Sequence, residues 1–362
     1  MEKSINLLII TDNFNYNCGV SKHLYYLIND LPQNVNAYFV IPGGTATELL
    51  KTNRVKFFIV PSLSYQKRSI SNLVKAIFSI YRLAKKLNVD IIHSHNYYAA
   101  NAARVVGKIT GITTVQTIHS YFERRGILKK YSADYYILVS EYLAFKAKEE
   151  KAFGEERMKV IYNGVKIISI DKKDARKNHN GKLELLVASR LIYEKGIQTV
   201  IEALSLLPEE DRQKINFKIA GTGEYKSALK QFATEKKVKA VFLGEVVDMV
   251  SLFSSCDIFL LPSFADGLPM ALLEAGAHEC FIITSDFEGI LSIFRPGIDG
   301  FIYEKHSAKQ LADAITRAIK LGNEREQYIT SFKYMLNKRF TSGIMAQSTY
   351  DYYTQILKRA DA

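Results

Sequence analysis

Asp266 and Glu274 are separated by seven residues in the stretch SFADGLPMALLEA, and Gly267 and Pro269 follow the first acid closely. A carboxylate presents two oxygens that accept two parallel hydrogen bonds, which suits a pair of neighbouring hydroxyls. The apolar run DIFLLPS reads as a buried strand, FADG as the loop at its end and LPMALLEA as the start of a helix, with Pro269 suited to its first turn. Asp266 then points from the loop toward a ligand, and Glu274 lies about two turns into the helix. One acid can bind the hydroxyls of a sugar while the other accepts from the two ribose hydroxyls of a nucleotide.

Two cations complement the acids. VASRLIYEKGI ends a strand and starts a helix, which puts Arg190 and Lys195 at a strand end, and Gly196 allows close backbone approach. Both side chains and the dipole of the helix N-terminus favour a diphosphate at such a place. IAGTGEYKSAL repeats the design with Gly221 and Gly223, and YNCGVSKHL opens another helix at Gly19. A Gly-x-Gly is also what a plain tight turn requires.

Parallel strands are what would position these groups. INLLIITDN, NAYFVIP, KFFIVP, VDIIHSH, TTVQTIH and YYILVS are short apolar runs, separated by segments of helical spacing such as the helix from about Ser21 to Leu31 and SISNLVKAIFSIYRLAKKL. A lysine-rich passage, DKKDARKNHNGK, then interrupts the pattern. LELLVASR, NFKIAGTG, AVFLGEV, DIFLLPS and FIITS restart it, and SGIMAQSTYDYYTQILKRADA reads as one amphipathic helix. Strands alternating with helices imply doubly wound parallel sheets, whose ligands sit outside the carboxyl ends of the strands.

With 362 residues, two domains of ordinary size are expected. Cys18, Cys256 and Cys280 form no even framework and no Cys-x-x-Cys pair, which argues against a disulfide scaffold or a thiolate metal site and fits a reducing cytoplasm. No apolar run approaches the length of a membrane span. Residues 1–170 hold 23 Lys+Arg against 12 Asp+Glu, whereas the remainder holds 26 against 25. The basic excess belongs to the first half, either as solubility charge or to face an anionic surface.

The order of these motifs resembles that of the retaining glycosyltransferases of the GT-B fold, in the large group-4 family that uses nucleotide diphosphate sugars. The glycine turn at Gly19, DIIHSH, TIH, ADYYILVS, VIYNGV, SRLIYEKG, GTGE and the spaced acid pair occur in the family's sequence, across nearly the whole chain. The resemblance implies two Rossmann-like domains facing a central cleft: an acceptor domain over 1–166, a linker over 167–182, a donor domain over 183–342, and a helix over 343–362 that crosses back to the first domain. It further implies retaining, metal-independent transfer of a hexose or N-acetylhexosamine, with no cofactor. The donor would be a nucleotide sugar, UDP-linked by family frequency, and the acceptor a glycan or a lipid-linked intermediate of a surface polysaccharide. The chain is expected in the cytoplasm, peripheral to the inner face of the plasma membrane.

By motif, Arg190 and Lys195 resemble the family's diphosphate cations and Glu274 its ribose-binding glutamate. Asp266 stands where the family usually has a glutamate contacting the transferred sugar, and His119 matches the histidine lining the sugar site. The implied donor set extends to Gly19, Gly221, Gly223, Glu245, Val246, Gly267, Leu268 and Pro269. His93 and His95 are read as structural or cleft-lining.

Three departures from the family pattern stand out. AHECF places Glu279 and Phe281 at the Gly and Pro of an Ala-x-Gly-x-Pro pattern, EGILS replaces Gly-Gly-x-x-Glu, and Lys166 replaces a common Asp. The first two are expected to alter loops that approach the donor. They leave a catalytically degenerate partner subunit as the alternative reading, ahead of a basic nucleic-acid-binding protein, for which the chain shows no stacking platform or recognition motif. On the acceptor side, Arg124, Arg125, Lys129 and Lys130 follow His119, and the helix from about Ser69 to Leu87 carries Lys75, Arg82, Lys85 and Lys86. Either segment could dock on anionic headgroups, although the helix reads more simply as a sheet-packing element with snorkelling lysines.

Overall fold

The computed structural model describes residues 4–16, 18–51, 55–120, 133–167 and 181–360. Arg124, Arg125, Lys129 and Lys130, and most of the expected linker, lie outside the described residues. The chain divides into two compact units, Met1–Gly164 with Ser342–Ala362, and Val165–Thr341.

In the first unit, β1 (Ile5–Thr11), β2 (Val35–Ile41), β3 (Lys56–Ile59), β4 (Ile91–His95), β5 (Thr113–Ile118), β6 (Tyr135–Leu138) and β7 (Met158–Val160) form a parallel sheet in the order β3-β2-β1-β4-β5-β6-β7. β1 and β4 are buried almost throughout, as strands covered on both faces must be. Their register pairs Leu7 with Ile91 and Thr11 with His95, which fixes the ends of both strands at one edge. The helix Gly19–Asp30 follows β1 and starts slightly before the position its apolar spacing suggests.

The C-terminal helix, Ser342–Ala360, belongs to this same unit. Met345, Ala346, Tyr350, Tyr353 and Ile356 join a core with Ile5, Leu7, Leu24 and Leu27. Tyr353, fully buried, forms a 2.5 Å hydrogen bond with His93 Nδ1, and Tyr352 donates to the carbonyl of Arg157 at 3.1 Å. The last helix therefore carries part of the first unit's core and touches its histidines.

The second unit repeats the plan with β8 (Leu183–Ala188), β9 (Ile215–Ala220), β10 (Val241–Gly244), β11 (Ile258–Leu261), β12 (Phe281–Ser285) and β13 (Gly300–Tyr303), in the order β10-β9-β8-β11-β12-β13. Its core joins Leu185, Val187, Ile258, Leu260, Phe281 and Ile283 of the strands to Val200, Ile201 and Leu204 of the helix Ile197–Leu206. β7 and β13 escaped the sequence reading. β7 is three residues long with one exposed, and β13 opens on a glycine, so neither offers a long apolar run.

If the C-terminal helix anchors the first unit as described, Tyr353→Phe strands a buried imidazole nitrogen. It should lower unfolding free energy by about 1–3 kcal/mol. Urea denaturation followed by near-ultraviolet circular dichroism would read this, and a midpoint equal to wild type would show that the hydrogen bond contributes nothing.

Candidate active site

Each sheet reverses its strand order once, between β1 and β4 in the first unit and between β8 and β11 in the second. Flanking helices leave in opposite directions there, so the carboxyl edge opens into a crevice. In the second unit the loop after β8 carries Arg190 and Lys195, and the loop after β11 carries Asp266. Lys195 Nζ donates directly to Asp266 Oδ2 across the reversal, with only 12% and 11% of the two side chains exposed. Asp266 Oδ1 also accepts from Gly267 N at 3.1 Å, and Ser263 Oγ lies 3.4 Å from Oδ2.

Several contacts hold the two loops in register. Gly196 sits at φ +66, and a Cβ there would fall 1.9 Å from the Pro262 carbonyl oxygen, so only glycine lets the chains approach. Phe264 N donates to Glu194 O at 2.9 Å, and Ser285 Oγ at the end of β12 donates to Ser263 O at 2.5 Å. Asp266 is thereby pinned from three strands. Arg190, by contrast, is exposed, with no ion-pair partner among the described residues. Glu274 is buried on the helix Met270–Ala277, as its fifth residue, so it lies little more than one turn in, not the two expected from spacing.

Other residues of the expected donor set find quieter places. A Cβ on Gly221 would meet the Ser189 carbonyl oxygen at 1.9 Å, and one on Gly223 the Leu191 oxygen at 2.2 Å. Both glycines are thus required by the packing of the loop after β9 on the loop after β8. Glu245 is exposed and Val246 half-buried after β10, while Gly267, Leu268 and Pro269 are buried and lead into the helix that bears Glu274.

Glu279 and Phe281 require a correction. They lie between the end of that helix and the start of β12, where Phe281 N donates to the carbonyl of Asp257 just ahead of β11. This is the amino edge of the sheet, a strand's length from Asp266, so the altered pattern does not approach the crevice. Phe281 is fully buried, edge-on to Phe301 and Tyr328. Glu279 takes the left-handed position, φ 59, that a glycine would fill at lower cost, and pairs with Lys333 at 2.5 Å. Only EGILS, after β12, sits at the carboxyl edge, where Glu288 pairs with Lys305.

In the first unit the corresponding crevice is lined by imidazoles. His95 ends β4, His119 follows β5, and His23 lies one turn into the helix that Gly19 opens. His95 Nδ1 and His119 Nε2 are 3.0 Å apart, and His23 Nδ1 is bonded to Asn163 Oδ1 at 2.9 Å. His93 packs against His95 with ring centroids 4.3 Å apart and the planes tilted by 41°, and bonds Tyr353 and Thr117. The Nε2 atoms of His23 and His95 have no hydrogen-bond partner among the described residues.

Loss of hydration dominates their chemistry, since burial disfavours the cation. It lowers His23 from 6.5 to about 4 and His93 to about 3, and holds His95 and His119 well below the usual value, with neighbouring histidines adding to the effect for the last three. These are neutral rings that can accept as well as donate. His23, His95 and His119 bring ring nitrogens within 4.8 Å of one another, the one cluster among the described residues with the donor set for an imidazole-bound ion.

Asp12, immediately after β1, was missed in the sequence. It is 3% exposed, accepts from Asn96 Nδ2 at 3.0 Å and from Tyr98 N at 3.1 Å, and so caps the helix Tyr97–Thr110 that follows β4. Burial raises it from 3.8 to about 6, against the lowering effect of those hydrogen bonds. The signals for Asp12 and His23 were local: an acid directly behind a buried strand, and a histidine one turn beyond a helix-opening glycine.

Comparisons with known proteins agree with this plan. Residues 18–167 match the family described as Glycosyltransferase Family 4, and residues 169–333 match Glycosyl transferases group 1. The chain is similar to a UDP-Gal:alpha-D-GlcNAc-diphosphoundecaprenol alpha-1,3-galactosyltransferase of Escherichia coli, 26% identical over 301 residues, covering 76% of this chain and 77% of that protein. An N,N'-diacetylbacillosaminyl-diphospho-undecaprenol alpha-1,3-N-acetylgalactosaminyltransferase of Campylobacter jejuni is 24% identical over 311 residues, covering 77% and 80%. Among solved structures, Anabaena Alr3699/HepE in complex with UDP-glucose superposes with a TM-score of 0.83 at 19% identity, over 97% of this chain and 100% of that one. At that identity the likeness concerns the fold.

The buried imidazoles make stability depend on pH with a definite sign. The unfolded chain takes up a proton on His23 below about pH 6.5 that the folded state refuses until about 4, so this contribution is full above 6.5 and lost as pH falls toward 4. The loss for His23 alone is about 3 kcal/mol. Asp12 acts oppositely, since its raised value makes the folded state gain relative stability as pH falls from about 6 to 3.8. The comparison that isolates His23 is therefore between wild type and His23→Asn. Urea titrations from pH 7 to 4 should show the variant losing about 3 kcal/mol less than wild type, and parallel curves would mean that His23 titrates normally.

Proposed function

The chain is a GT-B glycosyltransferase, belonging through its first half to Glycosyltransferase Family 4 and through its second to Glycosyl transferases group 1, and on that premise we propose that it moves a hexose or N-acetylhexosamine from a UDP-linked donor to a glycan or lipid-linked acceptor in surface polysaccharide biosynthesis. Transfer proceeds with retention at the anomeric carbon, without a metal or other cofactor, at the cytoplasmic face of the membrane. The observation that carries this reading is the contact of Lys195 with Asp266 across the strand reversal of the second unit, with an exposed Arg190 on the same loop as Lys195 and a buried Glu274 on the helix after Asp266. The diphosphoundecaprenol substrates named for the Escherichia coli and Campylobacter jejuni relatives support the acceptor class, and the UDP-glucose bound in the Anabaena structure supports the donor class.

In this reaction the leaving UDP gains negative charge as the glycosidic bond breaks, so fixed cations stabilise the transition state more than the bound donor. Arg190 and Lys195 supply them, together with the amides at the start of the helix Ile197–Leu206. Asp266, held by Lys195, Ser263 and its own neighbouring amide, accepts from hydroxyls of the transferred sugar, and Glu274 binds the ribose. His119, in the crevice of the first unit, is a neutral imidazole able to accept a hydrogen bond from a hydroxyl. Before the donor arrives, Lys195 is already neutralised by Asp266, and the diphosphate competes for its protons.

Four outcomes test the proposal. A panel of UDP, GDP and ADP should raise the melting temperature with UDP alone, and Arg190→Ala should abolish the shift and lower kcat roughly 100- to 1000-fold; a shift with no nucleotide would instead favour a degenerate partner subunit. Asp266→Asn frees Lys195, so UDP should bind as tightly as before or tighter while turnover falls at least roughly ten-fold, and a parallel loss of both would remove Asp266 from the sugar. Lys195→Met alone leaves a buried carboxylate unpaired, at a cost of about 3–5 kcal/mol in stability; the double variant Lys195→Met with Asp266→Asn should recover the stability and not the activity. Excess EDTA should leave the rate unchanged, whereas a rate abolished by EDTA and restored by a divalent ion would overturn metal independence.

A further inference from the structure

The helix Ile70–Lys86 is covered on one side only. Ala76, Ile80 and Ala84 are buried in the first unit's core beside Ala99, Ala102 and Ala103 of the next helix, which is the sheet-packing role the sequence suggests. On the other side Ile70, Val74 and Phe78 stand 85%, 59% and 61% exposed. At four-residue spacing they form one stripe, and Lys75, Arg82 and Lys86 form the strip beside it, all exposed. Single exposed apolar residues are ordinary, but three large ones aligned on one helix mark a contact surface.

The charge around the stripe names the partner. From Glu48 to Asp90 the intervening residues include nine Lys or Arg and no Asp or Glu. This one segment holds most of the basic excess of the first half of the chain. An aliphatic and aromatic stripe whose charged neighbours on the helix are all cations is complementary to a surface of anionic headgroups over an acyl layer. No described helix is long and apolar enough to cross a membrane, so the contact lies at the interface. The helix also starts at the carboxyl edge of the sheet, since Tyr65 N, shortly before it, donates to the Asp12 carbonyl at 3.1 Å and Arg68 lies over the Tyr98 ring.

We infer that the solvent face of Ile70–Lys86 docks the first unit on an anionic lipid bilayer, with Ile70, Val74 and Phe78 inserted at the headgroup boundary. In purpose this rests on the proposed lipid-linked acceptor, because a docked edge next to Asp12, His95 and His119 meets a substrate that does not leave the membrane. Its evidence, the exposed stripe and its cations, is independent of the sugar chemistry.

The test is cosedimentation of the full-length chain with vesicles of phosphatidylglycerol and phosphatidylcholine, beside vesicles of phosphatidylcholine alone, without donor or acceptor. Wild type should partition at least ten-fold more strongly onto the anionic vesicles. The triple variant Ile70→Ser, Val74→Ser, Phe78→Ser should lose at least ten-fold of that binding, and Lys75→Gln, Arg82→Gln, Lys86→Gln should bind both vesicle types equally weakly. Both variants change exposed residues, so unchanged melting temperature and unchanged UDP-induced stabilisation would show that folding and the donor site are intact. Undiminished anionic binding by the Ser variant overturns the inference. So does a wild-type dimer in sedimentation equilibrium that the Ser variant renders monomeric, because the stripe would then face a second copy of the chain.

Discussion

A parallel sheet ends all its strands at one edge, and where strand order reverses the helices diverge and leave backbone at that edge uncovered. Each unit of this chain closes that gap with one buried carboxylate. In the first unit Asp12, arriving from β1, caps the helix that leaves β4. In the second, Asp266, arriving from β11, meets the lysine that follows β8. A charge taken out of water must find partners, so each acid ties together two strands that are distant in sequence and adjacent in space. The crevice and its polar lining have a common origin in that constraint.

The two crevices answer it with different electrostatics. In the second unit the acid is matched by a cation and a further arginine remains exposed, an arrangement ready to exchange one anion for another. In the first, four imidazoles share a space with little water, and each is held neutral because protonating one would add a charge that neither solvent nor neighbours compensate. Hydrogen bonds of His93 with Tyr353 and Thr117, and of His23 to the accepting Asn163 Oδ1, orient these rings. Since Tyr353 lies on the last helix, that helix takes part in shaping a site whose other residues lie in the first half of the chain.

Much of this was legible from spacing alone. Eleven of the thirteen strands among the described residues were read from short, mostly apolar runs, since strands buried on both faces, such as β1 and β11, show little polar alternation. Arg190, Lys195 and Asp266 were visible because strand ends followed by glycine or proline are where loops carry polar groups. The pairing of Lys195 with Asp266 was not, since it joins residues 71 positions apart and depends on strand order, which no local pattern encodes. Asp12 and His23 did carry local signals, an acid behind a buried strand and a histidine one turn beyond a glycine, but their significance comes from the helix and the ring they meet. The outward stripe on Ile70–Lys86 was hidden by the helix itself, because apolar residues on two faces read as one broad packing face until the core is seen to use Ala76, Ile80 and Ala84, flanked by Leu73, Ile77, Tyr81 and Leu83, and to leave out Ile70, Val74 and Phe78.

Departure from a family pattern acquires meaning only from the edge of the sheet on which it falls. Glu279 and Phe281 break the pattern conspicuously, yet they lie at the amino edge, where the requirement is a chain reversal and a filled core. Glu279 meets the first with a left-handed backbone, strained by about 1–2 kcal/mol relative to glycine, offset in part by Lys333. Phe281 meets the second through its aromatic neighbours. Neither substitution can touch a ligand bound outside the carboxyl ends. The changes that a ligand outside the carboxyl ends would meet are the one-methylene shortening at Asp266 and the exchange of Gly-Gly for Glu288-Gly289 after β12. On the proposed reading, a shorter acid drawn toward Lys195 leaves more room for the transferred sugar, so a difference in donor choice from glycosyltransferases carrying the longer acid would arise at these two positions.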